Sequence, residues 1–180
     1  MNFSFFGSNL TLRPSFQLIA AMNPCPCGYL GDPAGDCRCS GERVARYRGK
    51  ISGPLLDRID LHVEVGRPPP HVLRDGKVNV ASSADVRTRV MAARQAQRLR
   101  APRPNAKLDG GEIDTHCALD DKSLRMLEAA ADRFHLSART YQRVRRVART
   151  IADLAGSADI RSSHLAEALA LRQLDKKRCY

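Results

Sequence analysis

Two Cys-x-Cys pairs, Cys25-Pro-Cys27 and Cys37-Arg-Cys39, stand nine residues apart and are the strongest chemical signal in the chain. Four thiolates gathered by one short loop match the ligand count of a tetrahedral structural Zn2+ site. Gly28, Gly31, Pro33 and Gly35 suit a loop that turns tightly around an ion. Paired C-x-x-C spacing is the commoner zinc pattern, so free thiols and a redox or disulfide role stand as alternatives. Cys117 and Cys179 have no such neighbours.

Three other residues sit where a phosphate or a water could be handled. Asn23 follows the apolar run Phe16–Ala21 (FQLIAA), where open α/β sheets place ligand-facing groups; plain turn chemistry is the simpler reading of Asn-Pro. Arg58 ends Gly-Pro-Leu-Leu-Asp-Arg, and an ion pair with Asp57 or Asp60 is its simpler reading. Arg139 opens an arginine-studded helix, where a solvated face is the default. His62, His71, His116, His135 and His164 have no nucleophile or carboxylate at a telling spacing, and read as structural or surface residues.

The elements that must position these groups follow from pattern. Phe16–Ala21 reads as a buried strand ending in the Asn23-Pro24 turn, and residues 24–39 hold too many glycines and prolines for regular structure. A helix is predicted over about 42–50, with Ser40 available as its cap. Ile59, Leu61, Val63 and Val65 alternate with Asp60, His62 and Glu64, the period of a half-buried strand. Arg67-Pro-Pro-Pro70 breaks that pattern and opens a linker to Ala81.

Beyond Ser82 the period becomes helical. Val86, Val90 and Ala93 share one face of a helix over 83–100, beside a stripe of Arg87, Arg94 and Arg98. Further helices are predicted near 120–133, 138–154 and 162–174, with Gly156 as a stop and Ser162 or Ser163 as a cap. In the second of these, Tyr141, Val144, Val147, Ala148 and Ile151 face one way, and Arg139, Arg143, Arg146 and Arg149 lie toward the other. The shift of character near residue 80 divides the chain into 1–80, a strand-and-loop half, and 81–180, an all-helical half.

The chain of 180 residues carries 30 Lys and Arg against 19 Asp and Glu, a formal charge of +11. That balance favours a polyanionic partner, nucleic acid or nucleotide phosphate, over a merely solvated basic surface. Aromatic residues are 5% and Trp is absent, so backbone contact suits the chain better than base stacking. No apolar run reaches the length of a membrane span, and MNFSFFGSNL lacks the basic start and cleavage site of a secretory signal. The expectation is a cytoplasmic protein with no membrane partner.

Three ordered stretches carry a resemblance that covers about residues 14–175: FQLIAAMNPCPCGYLGDPAGDCRC, YRGKISGPLLDRIDLHVEV and LSARTYQRVRRVARTIADLAGSADIRSSHLAEALALR. Together they closely resemble the C-terminal part of the magnesium-chelatase-like AAA+ ATPases, the ComM/YifB family. The resemblance implies a helix-rich chain: residues 1–80 as a remnant of the α/β nucleotide domain with its cysteine loop, and 81–180 as a helical lid. It implies ATP and Mg2+ in the intact protein, a hexameric homo-oligomeric ring, and DNA branch migration in natural transformation. Asn23 then matches sensor 1, Arg58 the arginine finger offered to a neighbouring subunit, and Arg139 sensor 2. DNA as partner would engage Arg87, Arg94, Arg98, Arg143, Arg146 and Arg149 through phosphates.

The sequence departs from the family in one large respect. It contains no G-x-x-x-x-G-K-[ST] and no apolar strand ending in Asp-Glu before Asn23, so both Walker motifs are missing. The strands Phe16–Ala21 and Ile59–Val65 would flank a central P-loop strand that the chain does not supply. The expectation is a fragment that does not hydrolyse ATP alone. A stand-alone zinc-stabilised nucleic-acid-binding module and the ATPase subunit of magnesium chelatase are the rival readings.

Overall fold

The computed structural model describes residues 2–5, 8–11, 17–33, 35–68 and 81–172, the first two stretches as backbone alone. The chain divides into two compact units, Met1–Lys50 and Ile51–Tyr180.

In the first unit β1 (Asn2–Phe5) and β2 (Ser8–Thr11) form an antiparallel hairpin with Phe3 opposite Leu10 and Phe5 opposite Ser8. The cysteine segment is shaped by turns. Gly28 N–H donates to the Cys25 carbonyl at 3.0 Å, Asp32 to Tyr29 at 3.1 Å and Gly35 to Asp32 at 3.1 Å. Gly28 and Gly31 both hold φ at +84°, a conformation that a side chain would strain. α1 (Gly41–Arg48) starts where Ser40 Oγ accepts from the Arg43 amide at 3.3 Å. Near its end, Arg48 Nε donates to the Pro24 carbonyl at 3.1 Å, which ties the helix back to the start of the cysteine loop.

The second unit is helical. α2 (Gly53–Arg58) is capped by Ser52 and has Pro54 in its first turn. α3 (Ser83–Arg100) opens on a Ser82/Asp85 capping box, and a 3-10 turn (Asn105–Lys107) follows it. Then come α4 (Gly110–His116), α5 (Asp121–Phe134), α6 (Ala138–Leu154) and α7 (Ser162–Ala170).

α6 is the hub, packed against α3, the 3-10 turn, α4 and α7. Its buried row of Thr140, Val144, Ala148 and Ala152 repeats every four residues, and these small side chains let neighbouring helices approach closely. Around it Leu108, Ile113, Leu127, Ile160 and Leu165 complete one core. α6 stops at Gly156 (φ +66°), over which the Ser157 amide reaches the Ala152 carbonyl at 2.8 Å. Among the described residues no helix is long and apolar enough to cross a membrane.

Four of the predicted helices form close to their expected bounds, and the fifth, expected over 162–174, ends at Ala170. α7 is not capped by Ser162 or Ser163. His164 Nδ1 instead accepts the Arg161 amide at 3.1 Å. α2 and α4 are additional to the predicted helices; their Ser52-x-Pro54 and Asp109-x-x-Glu112 starts are capping signals. On α3, Ala93 and Gln97 are buried, whereas Val86 and Val90 are exposed.

Both predicted strands fail. Gln17–Ala21 has no regular structure and Ile19 is 85% exposed; Phe16 lies outside the described residues. Of Ile59–Val65 only His62 makes a bridge, parallel to Arg172, and Val65 is 90% exposed. The alternation is lost: His62 is 6% exposed while Asp60, Leu61, Val63 and Glu64 all face solvent. A strand persists only when its amides and carbonyls are paired, and no strand lies beside either segment among the described residues. Most of the predicted linker, residues 69–80, lies outside the described residues.

Where α3, the 3-10 turn and α6 meet, a carboxylate is buried. Asp153 Oδ1 accepts from Arg149 Nε at 3.1 Å and Nη2 at 3.0 Å, and Oδ2 accepts from Asn105 Nδ2 at 2.8 Å. Arg100 adds a two-pronged ion pair from the end of α3. Arg149 spends its remaining donors on the Ala158 and Ser157 carbonyls, both at 2.7 Å. Asp153→Asn removes the charge that neutralises both guanidinium groups, and we expect it to cost about 3–5 kcal/mol. Urea denaturation measures this; a loss below ~1 kcal/mol, the range of an exposed pair, would contradict the assignment.

Candidate functional site

The clearest constellation is the cysteine cluster of the first unit. The Sγ atoms of Cys25, Cys27, Cys37 and Cys39 all lie within 4.8 Å of one another. Cys25 to Cys27 is 3.3 Å, Cys25 to Cys37 is 3.8 Å and Cys27 to Cys37 is 3.6 Å. Thiolates held at about 2.3 Å on a tetrahedral zinc stand about 3.8 Å apart, so the spacing fits such an ion with little rearrangement. None of the described cysteines is in a disulfide.

The turn chemistry explains how the cluster forms. Cys25 is fully buried, and the Cys27 and Leu30 backbones hydrogen-bond to its sulfur. Gly28 follows with a left-handed conformation open to few other residues, which is what calls for glycine there.

The electrostatics of the cluster follow from the crowding of its thiols. Burial pushes the Cys25 thiol up, but hydrogen bonds from the Cys27 side chain and the Leu30 and Cys27 backbones outweigh it, bringing it to about 6. At Cys37 the Cys39 backbone pulls down, yet burial, the Cys27 and Cys25 thiols and the Cys25 charge push it up to about 11. Hydrogen bonding to Cys27, then burial, raises Cys39 as well. One thiolate thus forms easily and resists its neighbours' ionisation; a divalent cation at the centre is what would draw all four into the ligating form.

Asn23 is exposed in the first unit, while Arg58 and Arg139 are exposed in the second. Arg58 is the last residue of α2, and its Nη1 donates to the Pro54 carbonyl at 3.1 Å. Asp60, one of its expected ion-pair partners, instead takes Arg143 Nη1 at 2.6 Å. Arg139 lies in the first turn of α6.

The arginines expected to meet phosphates separate into two groups. Arg87, Arg94 and Arg98 are exposed along α3, with Arg94 Nη1 3.4 Å from Gln97 Oε1. Those on α6 are engaged within the fold: Arg143 with the Arg58 carbonyl and Asp60, Arg146 with the Leu108 carbonyl at 2.7 Å, and Arg149, 3% exposed, with Asp153. Sequence reasoning overlooked Arg145 and Arg172. Arg145 pairs with Asp114 at 2.7 Å and also holds the Ile113 and Cys117 carbonyls; Arg172 is 3% exposed and holds the Ile59 carbonyl at 2.8 Å. Nothing local marks these two among the chain's many arginines.

Comparison with known proteins bears on the identity of this arrangement. Residues 6–73 match the family model for magnesium chelatase, subunit ChlI, and residues 80–172 match that for its C-terminal domain. A YifB protein of Escherichia coli is 44% identical over 170 residues, covering 94% of this chain and 33% of the relative. The competence protein ComM of Haemophilus influenzae is 43% identical over 159 residues, covering 88% of this chain and 31% of the relative. A Mycobacterium tuberculosis relative is 41% identical over 170 residues, 91% of this chain and 32% of the relative. The chain therefore spans about a third of the length of the curated relatives it matches. With two family models that together take in residues 6–73 and 80–172 and relatives of this similarity, the chain belongs to the magnesium chelatase ChlI-like family, as a segment of the ComM/YifB type.

Proposed function

We propose that this chain supplies the sensing and trans-acting residues of a ComM/YifB-type AAA+ ATPase whose ATP turnover drives DNA remodelling. Residues 1–80 are the cysteine-loop part of the α/β nucleotide domain and 81–180 the helical lid; the two family models meet between residues 73 and 80. The observation that carries the reading is that Asn23, Arg58 and Arg139 are all exposed, in a chain whose buried positions go to other residues. A group that must reach a nucleotide, in its own or a neighbouring subunit, has to keep its polar end outside the core. Asn23 would position the attacking water, Arg58 would meet the γ-phosphate of the adjacent subunit in a hexameric ring, and Arg139 would couple the lid to the nucleotide state. Phosphoryl transfer depends chiefly on positioning and on stabilising charge, which suits an amide and two guanidinium groups.

ATP and Mg2+ would be held by a P-loop that this sequence does not contain. The exposed apolar side chains of Leu18, Ile19, Leu61, Val63 and Val65 are consistent with strands awaiting that missing neighbour. Zn2+ would be structural, held by Cys25, Cys27, Cys37 and Cys39, and would order a loop that has few core residues of its own. DNA would lie against the α3 stripe of Arg87, Arg94 and Arg98, in the cytoplasm, where such a motor meets its substrate. Of the α6 arginines, Arg143 and Arg146 keep only partial exposure, and Arg149 is too enclosed to serve.

Three outcomes test this reading. The chain alone should hydrolyse no ATP above background, whereas an assembly that restores a P-loop should turn over and lose about 10³-fold in kcat on Arg58→Ala with ATP binding retained; unchanged turnover would remove the finger role. Elemental analysis should find about one zinc per chain, and Cys25→Ser should abolish it; a folded, chelator-insensitive chain without metal would overturn the metal assignment. Binding to duplex DNA should weaken linearly on a log–log plot with salt, and Arg94→Ala should reduce the slope by about 1; a salt-independent interaction would exclude phosphate contact.

A further inference from the structure

Arg58 ends a helix of six residues, too short to hold its own direction in water. Its final carbonyls have no partners within the helix and must be satisfied from elsewhere. The Leu56 carbonyl takes the Ile59 amide at 3.0 Å, and the carbonyls of Arg58 and Ile59 are reached from distant residues. Arg143 Nη1 donates both to the Arg58 carbonyl and, at 2.6 Å, to Asp60 Oδ1. Arg172 Nη1 donates to the Ile59 carbonyl at 2.8 Å, and the His62 amide donates to the Leu171 carbonyl at 2.6 Å. The Arg143 side chain is 17% exposed and Asp60 56%, so the ion pair is shielded on one side only. These bonds hold the chain at Arg58 and just beyond it, while the exposed Arg58 guanidinium turns back only to the Pro54 carbonyl.

Arg143 follows Arg139 by four residues on α6, one helical turn away on the same face. We propose that Arg143 is a positioning residue for Arg58: it fixes the end of α2 to the turn of α6 next to Arg139, so that a shift of that turn moves Arg58. The functional meaning of this link rests on the arginine-finger and sensor readings given above; the link itself does not. If those readings hold, nucleotide sensed at Arg139 in one subunit alters the charge presented through Arg58 to the next. Arg172, from the end of the helical unit, is the second anchor of the same segment.

The test uses the full chain and needs no nucleotide. Arg143→Ala should speed amide exchange of Leu55–His62 about tenfold, the effect of losing a charge-assisted bond, while α5, α6 and α7 keep their protection. The Arg58 Nε–H resonance should move toward its solvent-averaged position in the same variant. Arg143→Lys, which keeps the charge and a donor, should restore most of both signals. Asp60→Ala removes one end of the pair at an exposed site and should give a smaller change in the same direction. Unchanged exchange and an unchanged Arg58 resonance in Arg143→Ala would overturn the proposal, as would equal loss of protection throughout α5–α7, which marks a general stabilising role. Because neither readout involves ATP, their failure leaves the finger reading standing, and failure of the Arg58→Ala turnover test leaves the tether standing.

Discussion

The buried carboxylate of Asp153 decides how the helical unit closes. It sits at 1% side-chain exposure and neutralises Arg149, which is equally enclosed at 3%, together with Arg100 at the end of α3. A charge at such depth is tolerated only when paired and hydrogen-bonded on every side, and here the surrounding donors come from three separate segments. Arg149 then passes the restraint on to the Ser157 and Ala158 carbonyls, fixing the turn that delivers α7 to the core. The apolar row of α6 can therefore meet α7 in one register. Apolar packing supplies the driving force, and the ionic cluster selects the arrangement.

The same principle changes the meaning of the positive charge. A net charge of +11 suggests a basic surface, yet Arg143, Arg145, Arg146, Arg149 and Arg172 all direct guanidinium donors at carbonyls or carboxylates within the fold. Arginine suits this task because its planar fork satisfies several helix-end acceptors at once and never loses its charge. Among the described residues, Arg87, Arg94 and Arg98 on α3, whose first turns stand clear of the core, stay exposed, as do Arg58 and Arg139. The cysteine cluster belongs to the other unit and follows a different logic, in which four thiols are gathered within 4.8 Å by the turns of one loop.

Legibility in the sequence followed the range of the interactions involved. The α1, α3, α5 and α6 helices, the Ser40 cap and the Gly156 stop were readable because each depends on residues within a turn or two of one another. The cysteine quartet was readable for a similar reason: two pairs nine residues apart need only a tight loop to meet. The failed strands had clear local patterns, FQLIAA and the Ile59–Val65 alternation, but a strand is completed by hydrogen bonds from a neighbour, and no local pattern reveals whether that neighbour exists. His62, polar by pattern, became buried because its amide was captured by the Leu171 carbonyl.

Spacing and local pattern therefore determined most helices of the second unit and the thiol-rich loop, while the family was legible through the resemblance carried by three ordered stretches of sequence. Tertiary structure alone decided which arginines face outward and which are consumed, and that Arg58 is reached by Arg143 from 85 residues away. The reason is physical: helical periods and capping bonds are set by side chains a few positions apart, whereas the partner of a long, flexible guanidinium is chosen only when distant segments pack and leave a carbonyl within its reach.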